Sequence, residues 1–313
     1  MEEKLEYLVD EEYISGGNSS RLDQFLVSKN IELSRSYIKK LIKDGHVFVN
    51  GVIQTKAAFL IDVGMHITIS IPPAILPEIV PEKMHLDIIY EDTDVILINK
   101  PKGMVVHPAS GHYSHTLVNG LMYHCGSDLS GINGELRPGI VHRIDKDTTG
   151  VIVACKNDSA HRFISAQLAE HSINRKYQAI VHNNLTKETG TIEGPIGRHP
   201  QNRKKMSINH TNGKYAVTHY KVISHLNGFY NHIECILETG RTHQIRVHMA
   251  SISHPLLGDT LYGPAKPPIQ NLEGQTLHAG VLGFIHPTTK KYMEFHAPLP
   301  EYFQKLLLTL DKK

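Results

Sequence analysis

Four prolines in ten residues, Pro72-Pro73-Ala74-Ile75-Leu76-Pro77-Glu78-Ile79-Val80-Pro81, interrupt the chain early. Proline fixes φ and lacks a backbone donor, so this stretch can be neither a helix interior nor a central strand. It is expected to be a stiff, extended interdomain linker over 72–81. The sequence on either side must then fold separately, as a short N-terminal part and a longer part over 82–313. The 313 residues suit roughly two domains of about 150 residues each. With 40% apolar residues there is material for a core, which sets aside disorder and fibre.

The short part is itself uneven in charge. Residues 1–18 carry −5 and form an acidic leader, residues 19–71 carry +3, and the remainder carries +4, so the net +2 hides a segregated distribution. Cys125, Cys155 and Cys235 are too far apart for a short disulfide framework, which points to a reduced compartment. The acidic start is the opposite of a signal peptide. No apolar run approaches the ~20 residues of a membrane span. The expectation is a soluble, cytoplasmic protein with no membrane association, and a monomer.

Residues 19–71 read as a small module. Arg21-Leu22-Asp23-Gln24-Phe25-Leu26 is a short amphipathic segment with Ser19 or Ser20 as its cap. A second helix follows, capped by Ser34 and stopped by Gly45. At about 100° per residue, Tyr37, Ile38, Leu41 and Ile42 share one face, and Arg35, Lys39, Lys40 and Lys43 form a basic stripe on the other. His46–Val49, the turn pair Asn50-Gly51 and Val52–Gln54 form a hairpin with type I′ chemistry, and His66–Ile71 alternates as a further strand. Taken alone, a basic stripe is most often only a solvated helix face.

Beyond the linker, strands are expected at 139–144, 151–156, 176–182, 215–225, 229–238 and 292–296, with helices near 115–124, 158–171, 242–252 and 300–309. Hairpin-linked strands with interspersed helices make an α+β domain with a mainly antiparallel sheet.

Two stretches concentrate polar chemistry. Residues 137–156 place His142-Arg143-Ile144-Asp145-Lys146-Asp147-Thr148-Thr149-Gly150 as a charged loop between apolar runs, where catalytic groups tend to be carried. A structural turn would explain Asp147, Thr148 and Gly150, but explains Arg143 and Asp145 less well. Residues 238–249 hold Gly240-Arg241-Thr242-His243-Gln244-Ile245-Arg246-Val247-His248, with Thr242 as helix cap. This is either a polar surface helix or a partner for an anion or carboxylate. The 22 histidines make metal a natural thought, yet no zinc or EF-hand spacing occurs, and no Walker, GxGxxG or GxSxG signature is present. Neither a metal nor a cofactor is expected.

In order along the chain, Asn99-Lys100-Pro101-Lys102-Gly103, the HRIDKDTTG loop, Arg175-Lys176-Tyr177, GRTHQIRVHM and Gly258-Asp259-Thr260-Leu261-Tyr262-Gly263 closely resemble the motif series of the RluA-type pseudouridine synthases. The module at 19–71 resembles the S4 (αL-type) RNA-binding domain. Ile144 and Thr149 depart conservatively from the family's usual loop.

The resemblance implies a mainly antiparallel, bent mixed sheet flanked by helices, and conversion of uridine to pseudouridine by a carboxylate. It assigns that carboxylate to Asp145, its orientation to Arg246, stacking on the uracil to Tyr177, an apolar wall to Ile245 and the space vacated by a flipped base to Arg143. Backbone contacts to RNA would fall to Arg35, Lys39, Lys40 and Lys43, and to Arg198, Arg203 and Lys204 in a second basic segment. The implied partner is large-subunit (23S) ribosomal RNA, at a stem-loop of helix 69 type, with transfer RNA as the alternative. Two other readings remain at this point. One is a glycoside hydrolase using Asp145 and Asp147, whose Cα atoms would lie ~6.6 Å apart on an extended strand. The other is a catalytically silent RNA-binding assembly factor.

Overall fold

The computed structural model describes residues 3–14, 20–29, 33–72, 79–108, 112–132, 134, 137–266, 268–269, 272 and 274–311. It divides into two compact units, Met1–Pro77 and Glu78–Lys313. The division falls inside the proline-rich segment, most of which, like Ser19, lies outside the described residues.

Unit one contains β1 (Glu3–Leu8), β2 (Ser20–Arg21), α1 (Leu22–Ser28), α2 (Arg35–Lys43), β3 (Val47–Val49), β4 (Val52–Ile53), β5 (Leu60–Ile61) and β6 (His66–Ile71). The antiparallel order is β1-β6-β3-β4, and β1, from the acidic leader, pairs with β6 along its whole length. Its alternating apolar residues Leu5 and Tyr7 pack on the module's core. The Ser34 hydroxyl caps α2 by accepting from the Tyr37 N–H at 3.2 Å. Asn50 and Gly51 both have positive φ, 49° and 80°, as a type I′ turn requires. The cap expected for α1 is absent. Ser20 belongs to β2, Arg21 precedes the helix, and the first amides of α1 donate instead to the carbonyls of Phe59 and Ala57.

Unit two contains β7 (Ile88–Glu91), β8 (Val95–Lys100), α3 (Leu117–Cys125), β9 (Thr149–Cys155), α4 (Asp158–Ala169), β10 (Asn174–His182), β11 (Thr189–Glu193), β12 (Ile196–Arg198), β13 (Met206–Ile208), β14 (Val217–Leu226), β15 (Tyr230–Leu237), α5 (Gln244–Ser251), β16 (Leu277–Ile285), β17 (Tyr292–His296) and α6 (Glu301–Asp311). The sheet runs β11-β14-β15-β10-β16-β9-β8-β7, with β17 also on β16; β16 and β9 are parallel and every other pairing is antiparallel. This is the α+β, mixed and mainly antiparallel architecture expected.

Strand alternation feeds two cores, one on each face. Ile96, Ile98, Ile152 and Ala154 pack under α3, while Val95, Leu97, Val151 and Val153 pack under α4. Two expectations fail. Residues 139–144 are not a strand: Gly139 at φ 71° turns the chain, Ile140 makes a single bridge to Ala154, and the following residues are loop. No strand is expected at 277–285, yet β16 sits there in mid-sheet; Gly280, Gly283 and the buried His278 disguise it. At the start of β9, Gly150 has φ 108°, and a Cβ there would collide with the Ala279 backbone. Only glycine lets the Asp145 loop enter the parallel junction.

Candidate active site

The loop between Gly139 and β9 delivers Asp145 just before the N-terminal ends of the parallel central strands β9 and β16, where Arg246 of α5 meets it. Asp145 Oδ2 accepts from Arg246 Nη1 at 2.8 Å. The same guanidinium forks onto Asp259, with Nε to Oδ2 at 2.7 Å and Nη2 to Oδ1 at 3.0 Å. The N–H groups of Leu261 and Tyr262 also donate to Asp259. Burial pushes the Asp259 carboxyl up, but Arg246 and these two amides outweigh it and hold it below the ordinary carboxylate range. Burial likewise works against the Arg246 cation, and Asp259 and Asp145 more than restore it. A planar guanidinium fixed on one carboxylate thus orients a second, leaving Asp145 Oδ1 uncommitted to it.

Beside Oδ1, at 3.7 Å, lies His243 Nε2. The Tyr262 hydroxyl accepts from the Met206 N–H at 2.8 Å and shares a second hydrogen bond, also 2.8 Å, with His243 Nδ1. Burial depresses the His243 pKa more than Asp145 raises it, keeping the ring neutral. His243, at φ 57°, takes the N-cap position of α5 in place of the expected Thr242, and its side chain makes no capping hydrogen bond. The turn is pinned by Gln244, whose Oε1 accepts from Thr239 Oγ1 and the Arg241 N–H while its Nε2 donates to the Val217 carbonyl.

Below Asp145 the loop rests on Lys100. This lysine is fully buried, and its ammonium donates to the carbonyls of Pro101, Met104 and Lys146 at 2.8, 2.9 and 2.9 Å. Burial brings it down to about 7, against the opposing pull of Asp147 and Asp145.

A niche of about 60 Å³ over Asp145 is walled by Tyr177, Leu237, Ile245 and Leu277, and it adjoins a cleft of about 570 Å³ that also exposes Arg143. Tyr177 comes from β10 and Ile245 from α5, both buried in the same core. Burial raises the Tyr177 hydroxyl pKa. Asp145, Arg143, Tyr177, Ile245 and Arg246 are therefore brought together. Asp147 lines neither space and packs against Gly274, and the loop is no extended strand, which removes the paired-carboxylate reading. Arg198, Arg203 and Lys204 lie exposed on and beyond β12, and the β12–β13 hairpin reaches the site through Met206 and Tyr262. Arg35, Lys39, Lys40 and Lys43 form the exposed side of α2 in unit one.

Asp259, Tyr262, His243 and Lys100 are not among the expected site residues. Asp259 and Tyr262 carried a signal, since they stand in a quoted motif. An arginine that must orient one carboxylate without swinging also calls for a second anchor.

An orienting arginine, a half-open carboxylate and a niche with one apolar wall on a mixed sheet, in a chain that also carries a basic helical module, suit an RNA-modifying enzyme acting on a nucleoside. The family model for RNA pseudouridylate synthase matches residues 94–251, and that for the S4 domain matches residues 20–67. The chain belongs to the RNA pseudouridine synthase family and is an isomerase. It is 51% identical over 294 residues to the uncharacterized RNA pseudouridine synthase YlyB of Bacillus subtilis, covering 94% of this chain and 95% of that one. It is 47% identical to ribosomal large subunit pseudouridine synthase D of Zymomonas mobilis, covering 93% of each. The solved human RNA pseudouridylate synthase domain containing 1 matches in fold, with TM-score 0.56 at 23% identity, covering 73% of this chain and 96% of that one.

Proposed function

We propose that this enzyme converts specific uridines of 23S ribosomal RNA to pseudouridine, in a stem-loop of helix 69 type, with Asp145 as its catalytic carboxylate. The observation that carries the chemistry is the Asp259–Arg246–Asp145 clamp, which presents one carboxylate oxygen to a niche with one apolar wall. Relatives named ribosomal large subunit pseudouridine synthase D support the RNA class.

The reaction breaks the N1–C1′ bond, turns the uracil and joins C5 to C1′. N1 gains a proton and C5 loses one, so no electrons are exchanged and no cofactor is required. Asp145 acts on the reacting nucleoside, in a position fixed before substrate arrives. Tyr177 supplies the face on which the ring stacks, Ile245 closes the apolar wall and Arg143 fills the space left by the extruded base, whose unstacking costs a few kcal/mol. The α2 stripe and the Arg198, Arg203 and Lys204 segment hold the RNA backbone with little sequence reading. The enzyme works as a cytoplasmic monomer.

Carbodiimide mapping of pseudouridine in ribosomal and transfer RNA from cells lacking the protein tests this. The expected result is loss of modification confined to large-subunit RNA. Loss in transfer RNA alone moves the substrate there, and an unchanged map in both pools contradicts the reading.

A further inference from the structure

The cleft beside Asp145 holds more positive charge than the clamp uses. Arg175 and Tyr177, two apart on β10, project from one face of the sheet and both line the cleft. Arg175 is 6% exposed, yet among the described residues its only side-chain hydrogen bond runs from Nη2 to the Glu238 carbonyl at 3.0 Å, and its buried Nε has no partner. No described carboxylate pairs with it, and burial pulls its pKa down, with Arg241 adding to the effect. Arg241 and Arg143 line the same cleft, and neither has a carboxylate partner among the described residues; Arg241 Nε donates to the Tyr215 carbonyl. Among the described residues Asp145 is the one carboxylate along the cleft, and Arg246 already pairs with it.

The surroundings make room for this buried cation. A Cβ on Gly240 would lie 2.6 Å from Arg175 Nη1, so a side chain there would displace the guanidinium. An unpaired buried charge is costly unless a partner completes it, and a guanidinium matches a phosphate by two parallel hydrogen bonds.

We infer that Arg175, with Arg241 and Arg143, forms a phosphate subsite that takes a phosphodiester flanking the target uridine. The subsite would fix the RNA backbone at the point where the base leaves its stack, turning general attraction into register at Asp145. It rests on the RNA-cleft reading above.

Single methylphosphonate linkages, each replacing one charged phosphate by a neutral group, test it. They are placed in turn around the target uridine of a helix 69-type hairpin. Binding and kcat/KM are then measured for the wild-type enzyme, Arg175→Gln and Arg241→Gln. Neutralising one linkage is expected to lower wild-type kcat/KM by about tenfold, the scale of a lost charge-assisted hydrogen bond. The same linkage should cost Arg175→Gln no more than about twofold. Arg241→Gln, whose side chain is only half-buried, supplies a second variant with a reduced penalty should Arg175→Gln fold poorly.

A wild-type enzyme indifferent to every linkage overturns the subsite. So does a penalty undiminished in both variants, which would leave Arg175 a structural part. If the all-phosphate hairpin binds without conversion, the substrate reading fails, and the linkage dependence of binding still decides the subsite.

Discussion

At the residue scale, position in this site is set by pairs of groups that hold a third. Arg246 is held by Asp259 and holds Asp145; Tyr262 is held by Met206 and sets His243. Lys100 is the extreme case, an ammonium inside the core with three carbonyl acceptors beneath the Asp145 loop. Its folded pKa is about 7, whereas the unfolded side chain titrates near the ordinary ~10.4. Between those values the unfolded chain binds more protons, so stability from this group rises with pH; it is complete above the unfolded value and lost as pH falls through about 7. Lys100→Met removes that titration. From pH 7 to 9 the difference in unfolding free energy is expected to move toward the wild type by no more than about 1.4 kcal/mol per pH unit. Denaturant unfolding of both proteins at several pH values checks this, and a gap independent of pH contradicts it.

At the element scale, α2 divides into a buried face of Ile38, Leu41 and Ile42 and an exposed basic face. The basic residues are not equivalent. Asp23, whose side chain is fully buried, lies 3.6 Å from Lys39, 4.0 Å from Arg35 and 2.9 Å from Arg21. Lys40 and Lys43 have no carboxylate within 4.0 Å among the described residues, which leaves them to counterions or phosphate. Lys40→Ala with Lys43→Ala is therefore expected to weaken RNA binding and reduce the slope of log K against log salt by roughly 1.5. Titrations across a salt series measure it, and an unchanged slope would return α2 to a plain solvated face.

What could be read in advance follows the range of the forces involved. The Ser34 cap, the Asn50-Gly51 turn and the two faces of α2 depend on neighbours within a few residues, so the sequence displays them. The α1 start, β1 and β16 depend on distant partners: carbonyls at 57 and 59, strand β6, and a parallel neighbour across the sheet. Asp145 and Arg246 could be named from their motifs. The 13-residue span from Arg246 to Asp259, and the burial of Arg175 and Lys100, follow from tertiary packing that local patterns do not encode.

At the scale of the whole molecule, a formal charge of +2 disguises a chain built for a polyanion. The acidic leader offsets basic surface that recurs in both units, on α2 in one, and on the β12–β13 segment and the arginine-lined cleft in the other. Distribution, rather than total, governs the attraction. The central claim is that a single clamped carboxylate performs the isomerisation while the rest of the molecule presents RNA to it. Tritium release from [5-³H]uridine-labelled 23S ribosomal RNA transcript, by the wild type and by the near-isosteric Asp145→Asn, tests it most directly, with RNA affinity measured alongside. The account predicts release by the wild type, none detectable from Asp145→Asn, and affinity unchanged within about threefold, under ~0.7 kcal/mol. Release from Asp145→Asn at the wild-type rate would contradict it.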